Sequence, residues 1–223
     1  MFINLTEGSG FMAGGSTDIT KAFLSNNSSN TPNTTYTFSS QSLGTPDPAR
    51  YIILGYVGNS STRTVTAASS TIGGVTVTKP IEVQDGNRTY GMLIANVPTG
   101  STGTIAITWS GLQDRMGLLW WAAYQLTSVT PTDTATDVVF TGSDLSGVLD
   151  INTGGVGFGF VATTGTNSNT WSWANLDEDI DTNWATASRE MSGASSLSPG
   201  SLTRTATITG TAGSSGLVLG AWA

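Results

Sequence analysis

MGLLWWAAYQL, residues 116–126, is the most apolar run in the chain, eleven residues without a charge and with Trp120, Trp121 and Tyr124 inside it. Its own periodicity does not separate a buried helix turn from a buried strand. The segment before it does: Thr104 to Trp109 alternates, with Ile105, Ile107 and Trp109 on one face and Thr104, Ala106 and Thr108 on the other. That period of two marks a half-buried strand, and it makes residues 116–126 a central strand of a β-sandwich. Consecutive strand residues point to opposite faces. Trp120 and Trp121 therefore either both reach core, or one of them stays exposed at an interface.

Outward from this run, Tyr51–Val57 (YIILGYV) is a second near-continuous apolar strand. About a dozen short strands recur along the chain, separated by turns such as Asp85-Gly86-Asn87 and Pro98-Thr99-Gly100. No amphipathic helical window accompanies them. The expected fold is all-β, an antiparallel, jelly-roll-like β-sandwich over residues 36–223 with an extended N-terminal arm. No repeat of fixed length is visible in the sequence. In Gly155–Thr163, glycines alternate with Val156, Phe158 and Phe160, so one face is nearly bare. A bare face predicts close approach by another backbone, from this chain or a neighbouring subunit.

Residues 1–35 differ from the rest, with short apolar patches set among Gly and Ser. They read either as an irregular cover for the sandwich or as a docking arm anchored by Phe2, Ile3, Leu5, Phe11, Met12 and Phe23. Residues 25–35 read as a loop or linker.

Composition excludes more than it assigns. The chain has no Cys and no His, which removes disulfides, the usual zinc sites and mechanisms that need imidazole or a thiolate. A net charge of −7, with only eight cations scattered along the chain, argues against nucleic-acid binding. No basic start with an apolar core occurs in the first residues, and no run approaches the length of a membrane helix. The expectation is a soluble, cytoplasmically made chain with no cofactor.

One dense polar segment stands out, Asn175–Trp184 (NLDEDIDTNW). Asp177, Asp179 and Asp181 at alternate positions resemble the start of a Ca2+ loop, although the EF-hand pattern fails at Thr182 and Ser188. A glycan site is the second reading, because Trp171, Trp173 and Trp184 supply stacking faces while Asp177 and Asp179 bind hydroxyls. The third is a plain solvated acidic loop. No nucleophile with a base and no phosphate-binding loop is present.

Four segments carry a resemblance: Arg50-YIILGYVG, RTVTAASSTIGGVTVT from Arg63 to Thr78, ANVPTGSTGTIAITWSG from Ala95 to Gly111, and the closing GLVLGAWA. They resemble a recurrent type of virion structural protein of tailed bacteriophages. The resemblance implies a non-enzymatic capsid decoration, head-fibre or tail component, a homo-oligomer held to other virion proteins. A tail-tip module recognising a host surface glycan is the alternative it leaves open. It assigns no site residues.

Overall fold

The structure is a computed structural model and describes residues 18–60, 63–139, 144–164, 170–185, 189–209 and 213–223. Among the described residues it is all-β, with antiparallel sheets packed face to face as sandwiches. In the first half the strands are β1 (Thr20–Ser29), β2 (Asn33–Ser42), β3 (Arg50–Asn59), β4 (Thr71–Ile72), β5 (Val75–Thr76), β6 (Thr78–Asp85), β7 (Arg88–Asn96), β8 (Thr102–Gln113) and β9 (Arg115–Tyr124). In the second they are β10 (Asp133–Val139), β11 (Asp144–Ile151), β12 (Val156–Thr164), β13 (Thr170–Ala174), β14 (Asp177–Asn183), β15 (Glu190–Ser196), β16 (Gly200–Thr209) and β17 (Ser214–Trp222).

These strands make four sheets stacked as four layers. Sheet β2-β8-β4-β5 lies outermost and sheet β1-β9-β3-β7-β6 beneath it; sheet β10-β17-β12-β15-β14 follows, and β11-β16-β13 closes the other side. Three apolar cores separate the layers. The first, with Tyr36, Ile105, Ile107, Leu54 and Trp120, fills the first sandwich, and the third, with Leu149, Ile151, Trp171 and Leu219, fills the second. The middle core joins the two inner sheets through Ile53, Tyr90, Trp121, Phe158, Phe160 and Trp222. Both inner sheets are thus buried on both faces, which is why β3, β7, β9 and β17 read as unbroken apolar runs rather than alternating ones.

This arrangement decides the tryptophan pair. Trp120 and Trp121 are both 0% exposed, one in the first core and one in the middle core. Each indole N–H finds an acceptor: Trp120 donates to the Ser42 carbonyl at 2.9 Å and Trp121 to Asp179 Oδ2 at 2.8 Å.

The two halves share one topology. Position by position, β1, β9, β3, β7 and β6 in the first inner sheet correspond to β10, β17, β12, β15 and β14 in the second; β2, β8 and β4 correspond to β11, β16 and β13. Across the middle core β3 packs on β12 and β6 on β17 and β10, while Lys21 of β1 reaches Asp179 of β14. The two inner sheets therefore lie over one another in opposite order, as halves related by an approximate two-fold axis do. Here the structure departs from the sequence reading: the chain repeats in strand order although no fixed-length repeat of residues is visible.

Four other expectations change. Phe2, Ile3, Leu5, Phe11 and Met12 lie outside the described residues. Phe23, expected in the arm, sits in β1, paired with Trp121 in register and packed edge-on to it at 6.2 Å. Residues 25–35 are not a linker: β1 runs to Ser29 and β2 starts at Asn33, because the main chain of this polar stretch pairs with Met116–Trp120 along a sheet edge. Thr130 to Asp137 (TPTDTATD) reads in the sequence as a polar loop, yet Asp133 to Asp137 pair with Leu217–Ala221 as part of β10. Of the bare face in Gly155–Thr163, Gly155 does meet main chain, the Trp222 carbonyl 2.6 Å from where a Cβ would lie, but within β12 the space is filled by side chains: a Cβ on Gly159 would lie 2.7 Å from the Trp173 ring, and Gly157 abuts Ile151.

Two buried arginines brace the ends of the sheets. Arg50, 0% exposed, donates from Nε to the Val97 carbonyl at 2.8 Å and from its other nitrogens to Gly44, Thr99 and Gly100 carbonyls at 2.8–2.9 Å. Arg204, also 0% exposed, donates to the Asn175 carbonyl and, at 3.3 Å, to the Gly200 carbonyl. Gly100 lies in the turn that leads into β8, and Gly200 is the first residue of β16.

Candidate binding site along the β13–β14 hairpin

The acidic segment is not a loop. Asp177–Asn183 forms β14, the edge strand of the second inner sheet, paired with β15. Charged side chains suit an edge strand, since they discourage pairing with another chain. Asn175 makes the turn from β13 with φ +64, a conformation Asn tolerates, and its side chain donates to the Thr203 carbonyl at 2.8 Å.

A register shift between Glu178 and Ile180 breaks the alternation of the three aspartates. Asp179 turns to the middle core, where it accepts from Trp121 Nε1 and Ser195 Oγ and faces Lys21 Nζ at 3.9 Å. Asp181 turns the other way and accepts the Trp171 backbone N–H at 2.8 Å. The carboxylates of Asp177, Asp179 and Asp181 do not converge on one point, and among the described residues no cluster of three acidic, His or Cys side chains is placed to hold a metal ion.

The tryptophans are likewise separated. Trp184 is 0% exposed in the middle core, packed on Gly117 with the Arg189 guanidinium 5.6 Å above its ring. Trp171 is buried in the third core, and Trp173, half-buried, donates Nε1 to Ser192 Oγ at 2.8 Å. Trp171 and Trp184 are buried, and of the three only Trp173 keeps partial exposure.

What the hairpin does present is two small pockets, one at each end. The first, about 220 Å³, is lined by Thr170, Trp171, Asp181, Thr182, Asn183 and Glu190. Asp181 and Glu190 lie on neighbouring strands, two register positions apart on one face. Burial pushes the Asp181 carboxyl above its ordinary value, against the pull of the Ser192 hydroxyl and the Trp171 N–H. Burial also raises Glu178, with Asp181 adding to it.

The second pocket, about 270 Å³, lies at the turn and is lined by Asn175, Leu176, Asp177, Ser196, Ser198, Leu202 and Arg204. Burial alone lowers the Arg204 pKa; no carboxylate offsets it. Of the residues expected to form a site, Trp171 and Asp181 meet in the first pocket and Asp177 reaches the second. Glu190, Ser196 and Arg204 were not anticipated. Arg204 had a signal: in Leu202–Thr209 (LTRTATIT) it shares a parity with Ala206, a core residue, so it is a charge at an inward position.

Chemically, both pockets offer hydroxyls, amides and carboxylates beside an apolar wall, which suits polyhydroxylated ligands. No family model matches this chain, and no curated protein and no solved structure matches it either.

Proposed function

We propose that this chain is a non-enzymatic structural protein of a bacteriophage particle, displayed on capsid or tail as a homo-oligomer and held to other virion proteins through its N-terminal segment. The observation that carries the reading is the four-layer stack itself. The chain spends its large apolar faces internally and leaves outer surfaces of hydroxyls and amides with few charges, as a passive display protein does. All four segments that resemble phage virion proteins contribute inner or outer sheet strands, β3, β4 with β5, β8 and β17. The strand orders support a jelly-roll variant as part of this reading: with β4 and β5 counted as one strand, each half runs first-eighth-third-sixth in its inner sheet and second-seventh-fourth in its outer one, the fifth strand lying in the inner sheet.

The test removes residues 1–17 only, because β1 begins at Thr20 and a longer deletion would unfold the first inner sheet. The truncated protein is expected to fold and to be lost from particles. Normal incorporation would overturn the docking role.

A second reading, recognition of a host surface glycan, is favoured by the paired pockets at the ends of the β13–β14 hairpin. A glycan array is its test, with Asp181→Asn as the control variant. Trp184→Ala is unsuitable, since it hollows the middle core. Selective binding lost in Asp181→Asn supports recognition, and silence across the array removes it.

A further inference from the structure

Two arginines are fully buried, Arg50 in β3 and Arg204 in β16, and they differ in how far their guanidinium groups are satisfied. Arg50 has four carbonyl acceptors around its guanidinium and the Asp47 carboxylate within electrostatic reach. Arg204 has two acceptors for five N–H donors, its Nε has no partner among the described residues, and no carboxylate compensates its charge. A buried cation so poorly satisfied is costly to the fold. Where Arg50 is sealed by main chain, Arg204 forms the wall of a 270 Å³ pocket.

We propose that the Arg204 pocket is a subsite for the carboxylate of an acidic sugar, a uronate or related residue. One guanidinium matches one monoanion. A dianion such as phosphate is disfavoured, because Asp177 also lines the pocket and adds a like charge. Ser196, Ser198 and Asn175 stand where ring hydroxyls need donors and acceptors, and Leu176 with the 41%-exposed Leu202 supplies an apolar wall for the C–H face. The inference rests on the glycan reading above and names its ligand.

The experiment titrates the full chain by calorimetry with glucuronate, glucose, acetate and sulfate. Saturable binding of glucuronate, with glucose, acetate and sulfate each weaker by about tenfold or more, is the expected result. Ser198→Asp, which sets a second negative charge at the pocket while leaving Arg204 in place, should weaken glucuronate by about tenfold or more. Asp177→Asn should strengthen it. Glucose binding as well as glucuronate, with no effect of Ser198→Asp, would overturn the carboxylate subsite while leaving glycan recognition standing. Acetate or sulfate binding as well as glucuronate would reduce the pocket to a simple anion site and overturn the sugar assignment. No binding by any of the four would overturn the subsite outright, and the array then decides the wider reading separately. Arg204→Gln is a secondary variant, read only if its near-ultraviolet circular dichroism matches the parent.

Discussion

At the scale of single residues, the buried charges are where sequence and stability are most tightly joined. Arg50 donates to four carbonyls, that of the buried Val97 among them, so Arg50→Ala leaves this acceptor without its donor in the interior and unbraces the turn at Thr99–Gly100, and should cost about 3 kcal/mol. Arg50→Lys retains the charge but not the planar fork, and should cost roughly 2 kcal/mol. Urea unfolding monitored by tryptophan fluorescence measures both, and a midpoint unchanged in Arg50→Lys would show that charge alone suffices. Two carboxyls near the β6–β7 hairpin make opposite contributions with pH. Burial works to raise Glu82, but donors from Thr64, Tyr56, the Val65 N–H and Lys79 outweigh it and hold its carboxyl below the ordinary value. A depressed folded pKa gives stability that is present above the unfolded value of about 4.3 and lost as pH falls through the folded one. Glu82→Gln should therefore destabilise at neutral pH and cost progressively less below pH ~4. Asp85 is raised, by burial first, with Arg88 opposing, and among the described residues neither carboxylate oxygen has a hydrogen-bond partner. Its ionised form is a burden to the folded state at neutral pH, and the burden is relieved as pH falls through the raised folded value toward the unfolded one. Asp85→Asn should raise the urea midpoint at pH 7, with the gain fading near pH ~4. A gain that persisted at low pH would mean its origin is not ionisation.

At the scale of elements, the seam between the inner sheets is built from aromatics seated on glycines of the opposing sheet. Phe160 of β12 covers Gly55 of β3, Trp121 of β9 covers Gly193 of β15, and Tyr90 of β7 covers Gly216 of β17. A Cβ added at Gly55 would lie 2.6 Å from the Phe160 ring, a contact the stacked sheets cannot relieve without moving apart. Gly55→Ala should cost about 1–3 kcal/mol by overpacking. Adding Phe160→Leu to Gly55→Ala should recover part of that loss, so a double-mutant cycle would give a non-zero coupling; strict additivity would place the strain elsewhere. These seats also mark the limit of what the sequence could tell. Strands β3 and β9 were legible because an unbroken apolar run bounded by turns has few other readings. The partner of each face was not: Gly157 and Gly159 showed a bare face, but not that Ile151 and Trp173 from β11 and β13 would fill it. The polar strands β1 and β14, and the leading residues Asp133 to Asp137 of β10, were missed for one physical reason. All are edge strands, and an edge needs main-chain pairing on one side only, so its side chains carry little apolar pattern. The acidic segment looked like a metal or sugar loop because alternate aspartates converge in a loop. In a strand with a bulge at Asp179 they diverge, and the pockets form at the strand's ends with Glu190, Ser196 and Arg204, residues 6 to 20 positions beyond Trp184 that no local pattern ties to the segment.

At the scale of the whole molecule, the shared strand order makes the chain two sandwiches closed face to face, and that arrangement sets how it can unfold. Each half, taken alone, would expose one entire apolar sheet face: Val156, Phe158, Phe160, Val218 and Trp222 on the second, and Ile53, Tyr90, Met92, Leu119 and Trp121 on the first. Each such side chain contributes roughly 2 kcal/mol on burial, so the seam outweighs any advantage of separation. The connection between the halves is slight by comparison, a short passage from Tyr124 to Asp133, with Leu126 and Val129 packed against the core, Thr127 and Thr132 bonded to Ala223 and Ala221, and Thr130 exposed. A protease site inserted at Thr130 should therefore be cut without consequence for assembly: the two fragments should elute together at the mass of the intact chain and unfold in one transition. Expressed separately, each half should bind a hydrophobic dye and either aggregate or pair with itself through the same face. Mixing the halves from denaturant should restore the parent spectrum. A half that eluted as a dye-silent monomer would show that its inner sheet tolerates water. The middle core would then be a docking surface between two finished domains rather than the structure that makes them one.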